Sequence, residues 1–133
     1  MNRWYKMNDR QILLNKLKTT TILIVEDGSD ILNLLEYSFK LLMKEIKTAQ
    51  NGIEALEVLN NFTPSVILTD LNMPNMNGSE MIKQIKKMNP NIPIIVMSGY
   101  ANDLDCPELV EAVFDKPANF SDIMTAIAKV TQD

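Results

Sequence analysis

The sequence predicts an α/β fold in which a parallel five-stranded sheet carries helices on both faces. Two observations support this prediction. Short runs of β-branched and apolar residues alternate with longer segments whose apolar residues recur at helical spacing. The connections between these segments are short, which is typical of a doubly wound sheet. The length of 133 residues fits one domain, and a hydrophobic content of 46% can supply its core.

Five segments are predicted to be strands. They are Thr20 to Glu26, Glu45 to Ala49, Ser65 to Asp70, Asn91 to Ser98 and Ala112 to Lys116. The first is apolar at consecutive positions, as expected for a strand that is buried on both faces. Pro93 lies near the start of the fourth, where a missing N–H is tolerated. A doubly wound sheet of this size commonly has the strand order 2-1-3-4-5 of flavodoxin-like folds, with right-handed crossovers.

The segments between and after these strands are predicted to be helices. They span residues 29–43, 51–60, 78–88, 105–112 (one short helix) and 119–130. In the first helix, Ser29 or Asp30 is predicted to be the N-cap. The spacing of its apolar residues predicts an amphipathic helix with one face formed by Ile31, Leu34, Leu35, Ser38 and Leu42. In the third, the residues predicted to face inward are Met81, Ile82, Ile85 and Met88.

The first 18 residues are predicted to lie outside the sheet unit. Four apolar residues predict a short extra helix that docks on the domain: Ile12, Leu13, Leu14 and Leu17. We therefore divide the chain into an N-terminal extension, residues 1–18, and a main domain, residues 19–133. Neither a repeat nor a low-complexity linker indicates a further domain.

Composition excludes several classes of function. A formal net charge of −4 argues against nucleic-acid binding, which needs a basic surface. No apolar run approaches the roughly 18 residues of a membrane span, and the N-terminus has no apolar signal core, so we expect a cytoplasmic protein. A single cysteine, Cys106, excludes an internal disulfide and is interpreted as a small, partly buried hydrophobe. The absence of histidine excludes Ser-His-Asp and Cys-His catalysis and His-ligated zinc.

Polar residues stand at the carboxyl ends of four predicted strands. The first ends in Glu26 and Asp27, the third in Asp70, the fourth in Ser98 and the fifth in Lys116. Taken singly, an acid at a strand end is most often a helix cap or a loop residue. In the order 2-1-3-4-5, however, all of these residues meet on one rim of the sheet, at the switch point where ligands bind.

The chemistry available at this rim is that of carboxylates, a hydroxyl and an ammonium group. Three clustered carboxylates repel one another unless a cation or a proton joins them, and Mg²⁺ is the natural counter-ion for oxygen ligands. Asp70 beside such a cation and Lys116 is suited to accept a phosphoryl group as an acyl phosphate. No nucleotide-binding loop accompanies these residues, so ATP held by this chain is not the expected donor.

Taken together, these residues resemble a response-regulator receiver domain, the phosphoacceptor module of two-component signalling, of the chemotaxis-regulator type. The resemblance runs from about Thr20 to Val130. It rests on an ordered set of motifs: ILIVEDGSDI, VILTDLNMPNMNGSEMI, IPIIVMSGYA and FDKP. Each motif is weakly specific alone, and the set in this order is strongly specific.

The resemblance implies a role for each residue of the rim. Asp70 is the phosphorylated residue, and Glu26, Asp27, Asp70 and the backbone carbonyl of Asn72 hold Mg²⁺. Ser98 and Lys116 bind the phosphoryl group and take part in switching. Lys116-Pro117 corresponds to a cis peptide bond, while Pro74 and Gly78 shape the loop after the acceptor.

The resemblance also implies partners. The donor is a histidine kinase or a phosphotransfer protein acting in trans, and a protein of unknown identity receives the signal. Neither nucleic acid nor a membrane is expected to bind this domain, which we expect to be a monomer or a weak homodimer.

The sequence departs from the family pattern between the fourth and fifth strands and within the fifth. The span from Ser98 to Lys116 is a few residues shorter than is usual, so the fourth helix of the domain or its connection is abridged. The aromatic switch residue of the family corresponds to Val113. Tyr100 and Phe114 are the alternative aromatic candidates, and Phe114 is predicted to point to the other face of its strand.

Two other functions are compatible with the fold. A pseudo-receiver would bind partners without phosphorylation, but the acceptor, acids and lysine that such proteins lack are all present. A phosphohydrolase with an aspartyl-phosphate intermediate would use a second carboxylate two positions after the nucleophile, where this chain has Asn72. The leading prediction is therefore a Mg²⁺-dependent phosphoacceptor that signals by binding, not a metabolic enzyme.

Overall fold

The computed structural model describes residues 8–99 and 103–131. The elements follow one another along the chain as α1 (Asp9–Leu17), β1 (Thr21–Val25), α2 (Ser29–Lys40), β2 (Glu45–Ala49), α3 (Gly52–Leu59), β3 (Val66–Asp70), α4 (Gly78–Met88), β4 (Ile94–Ser98), β5 (Ala112–Asp115) and α5 (Phe120–Val130). A 3₁₀ turn, Pro107–Leu109, lies between β4 and β5. The helices have eight to twelve residues, and within the described ranges none of them has the length and apolar character needed to cross a bilayer.

The five strands form one parallel sheet with the order β2-β1-β3-β4-β5. This confirms the predicted fold class and strand order. The central strands β3 and β4 are buried at every position, and β1 is buried at all but its first. The apolar runs in the sequence therefore correspond to strands covered on both faces, as is expected of parallel sheets.

Each face of the sheet carries its own hydrophobic core. In β1, Ile22 and Ile24 face a core shared with α2 and α5, whereas Leu23 and Val25 face a core shared with α3 and α4. The two-residue alternation of a strand thus divides a continuous apolar run between two layers of helices. Full burial of one large apolar side chain stabilises the fold by about 1.5–3 kcal/mol. Because both faces are packed in this way, the sheet is a rigid base for its rim.

The predicted N-terminal helix is present as α1. Asn8 caps it, accepting a hydrogen bond from the Gln11 N–H at 2.8 Å while the Gln11 side chain accepts one from the Asn8 N–H. This reciprocal capping box stabilises the first turn. Leu17, the last residue of α1, is fully buried in the core that contains α5, and α1 packs against α5.

Three predictions about helices were wrong in detail. The N-cap of α2 is Gly28, with no side-chain cap, rather than Ser29 or Asp30. The helix ends at Lys40, earlier than the predicted residue 43. In α4, Met88 is exposed although its predicted partners on the inward face are buried.

The buried face of α2 also differs from the prediction. Leu32, Leu35 and Phe39 are buried, whereas Ile31 and Leu34 lie on the exposed side of the helix. Phe39 decides the orientation, because its ring packs against Phe120 of α5 with a centroid distance of 4.7 Å. An apolar stripe is consequently left on the surface.

The connection between β4 and β5 contains the 3₁₀ turn in place of the short helix predicted for residues 105–112. The segment is fixed to α4, because the Asp105 N–H donates to the Ser79 hydroxyl at 3.3 Å and Lys83 forms an ion pair with Asp105 at 3.2 Å. Leu104 and Cys106 are buried in the core on this side. The abridged connection is therefore short but ordered where it meets α4.

The thiol of Cys106 is expected to react with a disulfide reagent such as DTNB at least about tenfold more slowly in the native protein than in urea. The side chain is only 2% exposed, and burial, assisted by the charge of Asp105, raises its pKa, so little reactive thiolate forms. Because the chain has one cysteine, absorbance of the released thiolate reports this site alone. Equal rates in both conditions would contradict the assignment of Cys106 as a buried hydrophobe.

Candidate functional site

The ends of β1 and β3 bring three carboxylates together. Val25 pairs with Thr69 in the sheet register, so the residues that follow, Glu26 and Asp70, lie side by side at the same edge. Carboxylate oxygens of Glu26, Asp27 and Asp70 lie within 4.8 Å of one another. Glu26 and Asp70 are buried and Asp27 is exposed, so the cluster opens to solvent on one side.

Lys116 joins the two buried acids. Its Nζ donates to Glu26 Oε1 at 2.8 Å and to Asp70 Oδ2 at 3.2 Å. Burial by itself lowers the pKa of Lys116, but the hydrogen bonds and charges of Glu26 and Asp70 outweigh it, so the net shift raises the pKa. The ammonium group is therefore charged throughout the physiological pH range and offsets part of the negative charge of the cluster.

Backbone amides hold the Asp70 carboxylate in one orientation. Its Oδ1 accepts a hydrogen bond from the Leu71 N–H at 2.7 Å and a longer one from the Asn72 N–H at 3.4 Å. The other oxygen, Oδ2, faces Lys116. Since both oxygens have fixed partners, the carboxylate is positioned before any ligand arrives.

Glu26 is held in the same way by Gly28 of the β1–α2 turn and by Ala49, the last residue of β2. Its Oε2 accepts a hydrogen bond from the Gly28 N–H at 2.9 Å, and its own N–H donates to the Ala49 carbonyl at 3.0 Å. Sequence reasoning missed both partners, because it interpreted Gly28 only as part of a helix start. The glycine directly after an acid pair was the available signal, since its free N–H can turn back onto the preceding side chain.

Ser98 lies at the end of β4, next to the acceptor strand. Asp70 pairs with Met97, so Ser98 is one residue beyond the acceptor in the register, and its side chain is fully buried. Its carbonyl accepts a hydrogen bond from the Lys116 N–H at 2.9 Å, which ties the backbones of these two residues together. The structure thus brings Glu26, Asp27, Asp70, Ser98 and Lys116 to one rim.

The loop after Asp70 folds back onto the strand end. The Gly78 N–H donates to the Leu71 carbonyl at 2.7 Å, and Asn77 caps α4 by accepting from the Glu80 N–H at 2.8 Å. Among the described non-glycine residues, Asn75 is the only one with positive φ, 73°. Asparagine tolerates this left-handed conformation better than most residues, which explains part of the polar composition of the loop. Asn72, whose carbonyl is predicted to bind metal, lies exposed at the start of this loop.

The Gly78→Ala variant is expected to lose about 2–3 kcal/mol of unfolding free energy. A methyl group on Gly78 would lie 2.6 Å from Leu71 Cα and 2.8 Å from its carbonyl oxygen, and this backbone cannot move without displacing Asp70. The gain of about 1 kcal/mol from replacing a helical glycine with alanine is too small to compensate. Urea denaturation measures the difference, with Gly99→Ala as the matched control, since a methyl group there meets nothing within 4 Å. Equal losses in both variants would contradict a steric role for Gly78.

Of the two predicted switch aromatics, Phe114 lies within the described residues. Phe114 is half-buried against the core formed with α2 and α5, on the opposite face of β5 from Val113, which is 40% exposed. The prediction that Phe114 points to the other face is thus correct. Tyr100 lies outside the described residues. The Lys116-Pro117 peptide bond is cis.

The residues of the cluster suit a hard divalent cation. Three carboxylates supply oxygen ligands within reach of one ion, and Asp27 lies on the exposed side from which an ion can enter. Oxygen donors without histidine or cysteine favour Mg²⁺ or Ca²⁺ over zinc or copper. Lys116 supplies one positive charge, which leaves the cluster net negative and able to attract a cation.

Comparison with known proteins identifies the family. Residues 22–128 match the model of the response regulator receiver domain. The chain belongs to this family. The resemblance inferred from the sequence motifs is confirmed, and the match includes Glu26, Asp27, Asp70, Ser98 and Lys116.

The curated relatives of this receiver domain are longer proteins. The chain is 37% identical over 109 residues to the DNA-binding transcriptional regulator NtrC of Escherichia coli, a match that covers 80% of this chain and 23% of NtrC. It is 34% identical over 122 residues to a protein-glutamate methylesterase/protein-glutamine glutaminase of Treponema denticola, with 82% and 33% covered. The chain thus spans a quarter to a third of the length of these curated relatives.

Solved structures of receiver domains have the same fold. A CheY-like receiver domain protein from Methanospirillum hungatei superposes with a TM-score of 0.79 at 26% identity, covering 85% of this chain and 94% of that one. The response regulator TrrA of Thermotoga maritima, in complex with Mg²⁺ and BeF, gives a TM-score of 0.76 at 28% identity, covering 84% and 99%.

Proposed function

We propose that this receiver domain is a phosphoacceptor, in which Asp70 accepts a phosphoryl group from a histidine kinase or phosphotransfer protein in a Mg²⁺-dependent reaction and thereby switches partner binding. The observation that supports this most directly is Lys116 Nζ bridging Asp70 and Glu26 within the carboxylate cluster. A lysine in this position neutralises the acceptor before transfer and can move to the incoming phosphoryl oxygens. The receiver unit proper begins after α1.

The transfer is a displacement at phosphorus. A carboxylate oxygen of Asp70 attacks the phosphorus atom, the P–N bond to the donor's histidine breaks, and the electron pair leaves with the imidazole nitrogen. Mg²⁺ held by Glu26, Asp27, Asp70 and the Asn72 carbonyl would offset the charge that the acceptor and the phosphoryl oxygens share. The Leu71 N–H keeps the carboxylate oriented, and Ser98 supplies a hydroxyl for a phosphoryl oxygen.

A groove beside the acceptor supports docking of the donor protein. It has a volume of about 470 Å³ and its lining includes Ile31 and Leu34 of α2, together with Lys116, Pro117 and Phe120. Because Lys116 also contacts Asp70, a helix lying in this groove would hold its phosphorylated side chain near the acceptor. In this proposal, the exposed apolar side chains Ile31 and Leu34 of α2 contact the donor protein, which accounts for their exposure.

Intact-mass spectrometry after incubation with Mg²⁺ and a small acyl-phosphate donor tests the proposal. We expect one covalent phosphate per chain, and no adduct when a chelator replaces Mg²⁺. Peptide mapping should place the phosphate on Asp70. If the folded protein forms no adduct with Mg²⁺ present, the domain is a phosphorylation-independent interaction module.

A further inference from the structure

The loop that follows the acceptor rests on a glycine of a neighbouring helix. Gly52, the first residue of α3, is buried beneath the side chain of Met76. A methyl group on Gly52 would lie 3.0 Å from Met76 Sδ and 3.1 Å from both Met76 Cβ and Cγ. Most of the methionine side chain, and not only its flexible end, is therefore in close contact with Gly52.

The end of β2, just before Gly52, also holds the first acidic residue of the site. The Ala49 carbonyl, three residues before Gly52, accepts the hydrogen bond of the Glu26 N–H at 3.0 Å. The segment from Ala49, which ends β2, to Gly52, which begins α3, is thus in contact with the β1 end on one side and with the acceptor loop on the other. These are the two parts of the chain that carry the predicted metal ligands.

Between Leu71, which is buried at the start of the acceptor loop, and Asn77, which caps α4, two side chains of the loop pack against the domain. Asn72, Pro74, Asn75 and Asn77 are exposed, whereas Met73 and Met76 are half-buried against the second core. At the loop tip, the Met76 N–H donates to the Pro74 carbonyl at 2.9 Å around the left-handed Asn75. Because the turn is tight, a displacement of Met76 also displaces the residues before it, toward Asn72.

We propose that Met76 is a positioning residue: seated on Gly52, it sets the distance between the Asn72 carbonyl and the acidic pair Glu26 and Asp27, and so determines the affinity of the site for Mg²⁺. This inference rests on the proposed function, because it assigns Mg²⁺ to the cluster. Met76 itself binds no metal. It acts on the loop in the way that residues behind metal ligands orient them.

Direct metal binding, measured by calorimetric titration of the full chain with MgCl₂, tests this role. Met76→Ala removes the contact and is expected to raise the Mg²⁺ Kd about tenfold. Met76→Leu keeps most of the volume and should stay within about twofold of the wild type. Gly52→Ala pushes Met76 outward and should also raise the Kd. Met88→Ala, which truncates an exposed methionine of α4, is the matched control and should leave the Kd unchanged.

The outcomes separate this inference from the proposed function. If the wild type binds Mg²⁺ and is phosphorylated while Met76→Ala and Gly52→Ala bind Mg²⁺ as the wild type does, the positioning role is refuted and the phosphoacceptor function stands. If the wild type itself binds no Mg²⁺, both fail. Urea denaturation of each variant distinguishes a local effect from unfolding, and a Kd that increases only in variants with reduced stability would also overturn the inference.

Discussion

The Asp70→Asn variant is expected to gain no phosphate from an acyl-phosphate donor, a decrease of at least about 1,000-fold in the rate of adduct formation. An amide has almost the same shape as a carboxylate but lacks the charge and the nucleophilic oxygen that form an acyl phosphate. The amide oxygen can still accept the Leu71 N–H, so the strand end should remain folded. The amide nitrogen would then face Lys116, which has no acceptor to offer it.

The control for this variant is another aspartate at a strand end. Asp115 closes β5 and is exposed, and no predicted site role is assigned to it. Asp115→Asn should take up phosphate at the wild-type rate, measured by intact mass over a time course with Mg²⁺. Phosphate uptake by Asp70→Asn at the rate of Asp115→Asn would place the acceptor elsewhere and refute the assignment of Asp70.

The fold could be predicted because its signals are local and repeated. Strand and helix periods alternate five times, and the rule that ligands meet the carboxyl ends of parallel strands then places Glu26, Asp70 and Ser98 on one rim. The structure places these residues as that rule requires, since β3 lies between β1 and β4. These three residues, 28 to 72 positions apart, could therefore be grouped without knowledge of any contact.

The orientation of α2 could not be predicted, because its apolar residues fit two faces. Ile31, Leu34 and Leu35 follow helical spacing as well as Leu32, Leu35 and Phe39 do. Packing against α5, where Phe39 meets Phe120, selects the second set. The choice between the two faces depends on Phe120, a residue far along the chain. The spacing of apolar residues within α2 carries no information about that contact.

The contacts that support the site could not be predicted from the sequence either. The Met76 side chain contacts Gly52, which lies 24 positions earlier in the chain. The Ala49 carbonyl accepts the hydrogen bond of the Glu26 N–H, which lies 23 positions earlier. Neither residue type suggests such a contact, because methionine is a common core residue and a glycine after asparagine is a common turn. Sequence patterns indicated which groups carry the chemistry, and the structure was needed to show what holds them.

The Lys116→Met variant is expected to lose about 2 kcal/mol of unfolding free energy when Mg²⁺ is absent. Methionine retains the volume but not the charge, so Glu26 and Asp70 would face each other without the cation that now contacts both. Breaking a fully buried ion pair costs about 3–5 kcal/mol. The expected loss of unfolding free energy is smaller here because the Lys116 side chain is 26% exposed. Urea denaturation in the presence of a chelator measures the loss. Lys87→Met, at an exposed site on α4, should change stability by no more than about 0.5 kcal/mol.

Mg²⁺ and pH should each change the difference between Lys116→Met and the wild type. An ion bound by the carboxylates replaces the missing positive charge, so added Mg²⁺ should stabilise the variant more than the wild type. The raised pKa of Lys116 means that its contribution is complete below the ordinary value of 10.5 and is lost as the pH rises through the higher folded value. The two proteins should therefore differ most at neutral pH and converge under alkaline conditions. A difference that neither Mg²⁺ nor alkaline pH reduces would mean that Lys116 stabilises the domain by packing, and that its charge does not hold the acceptor site together.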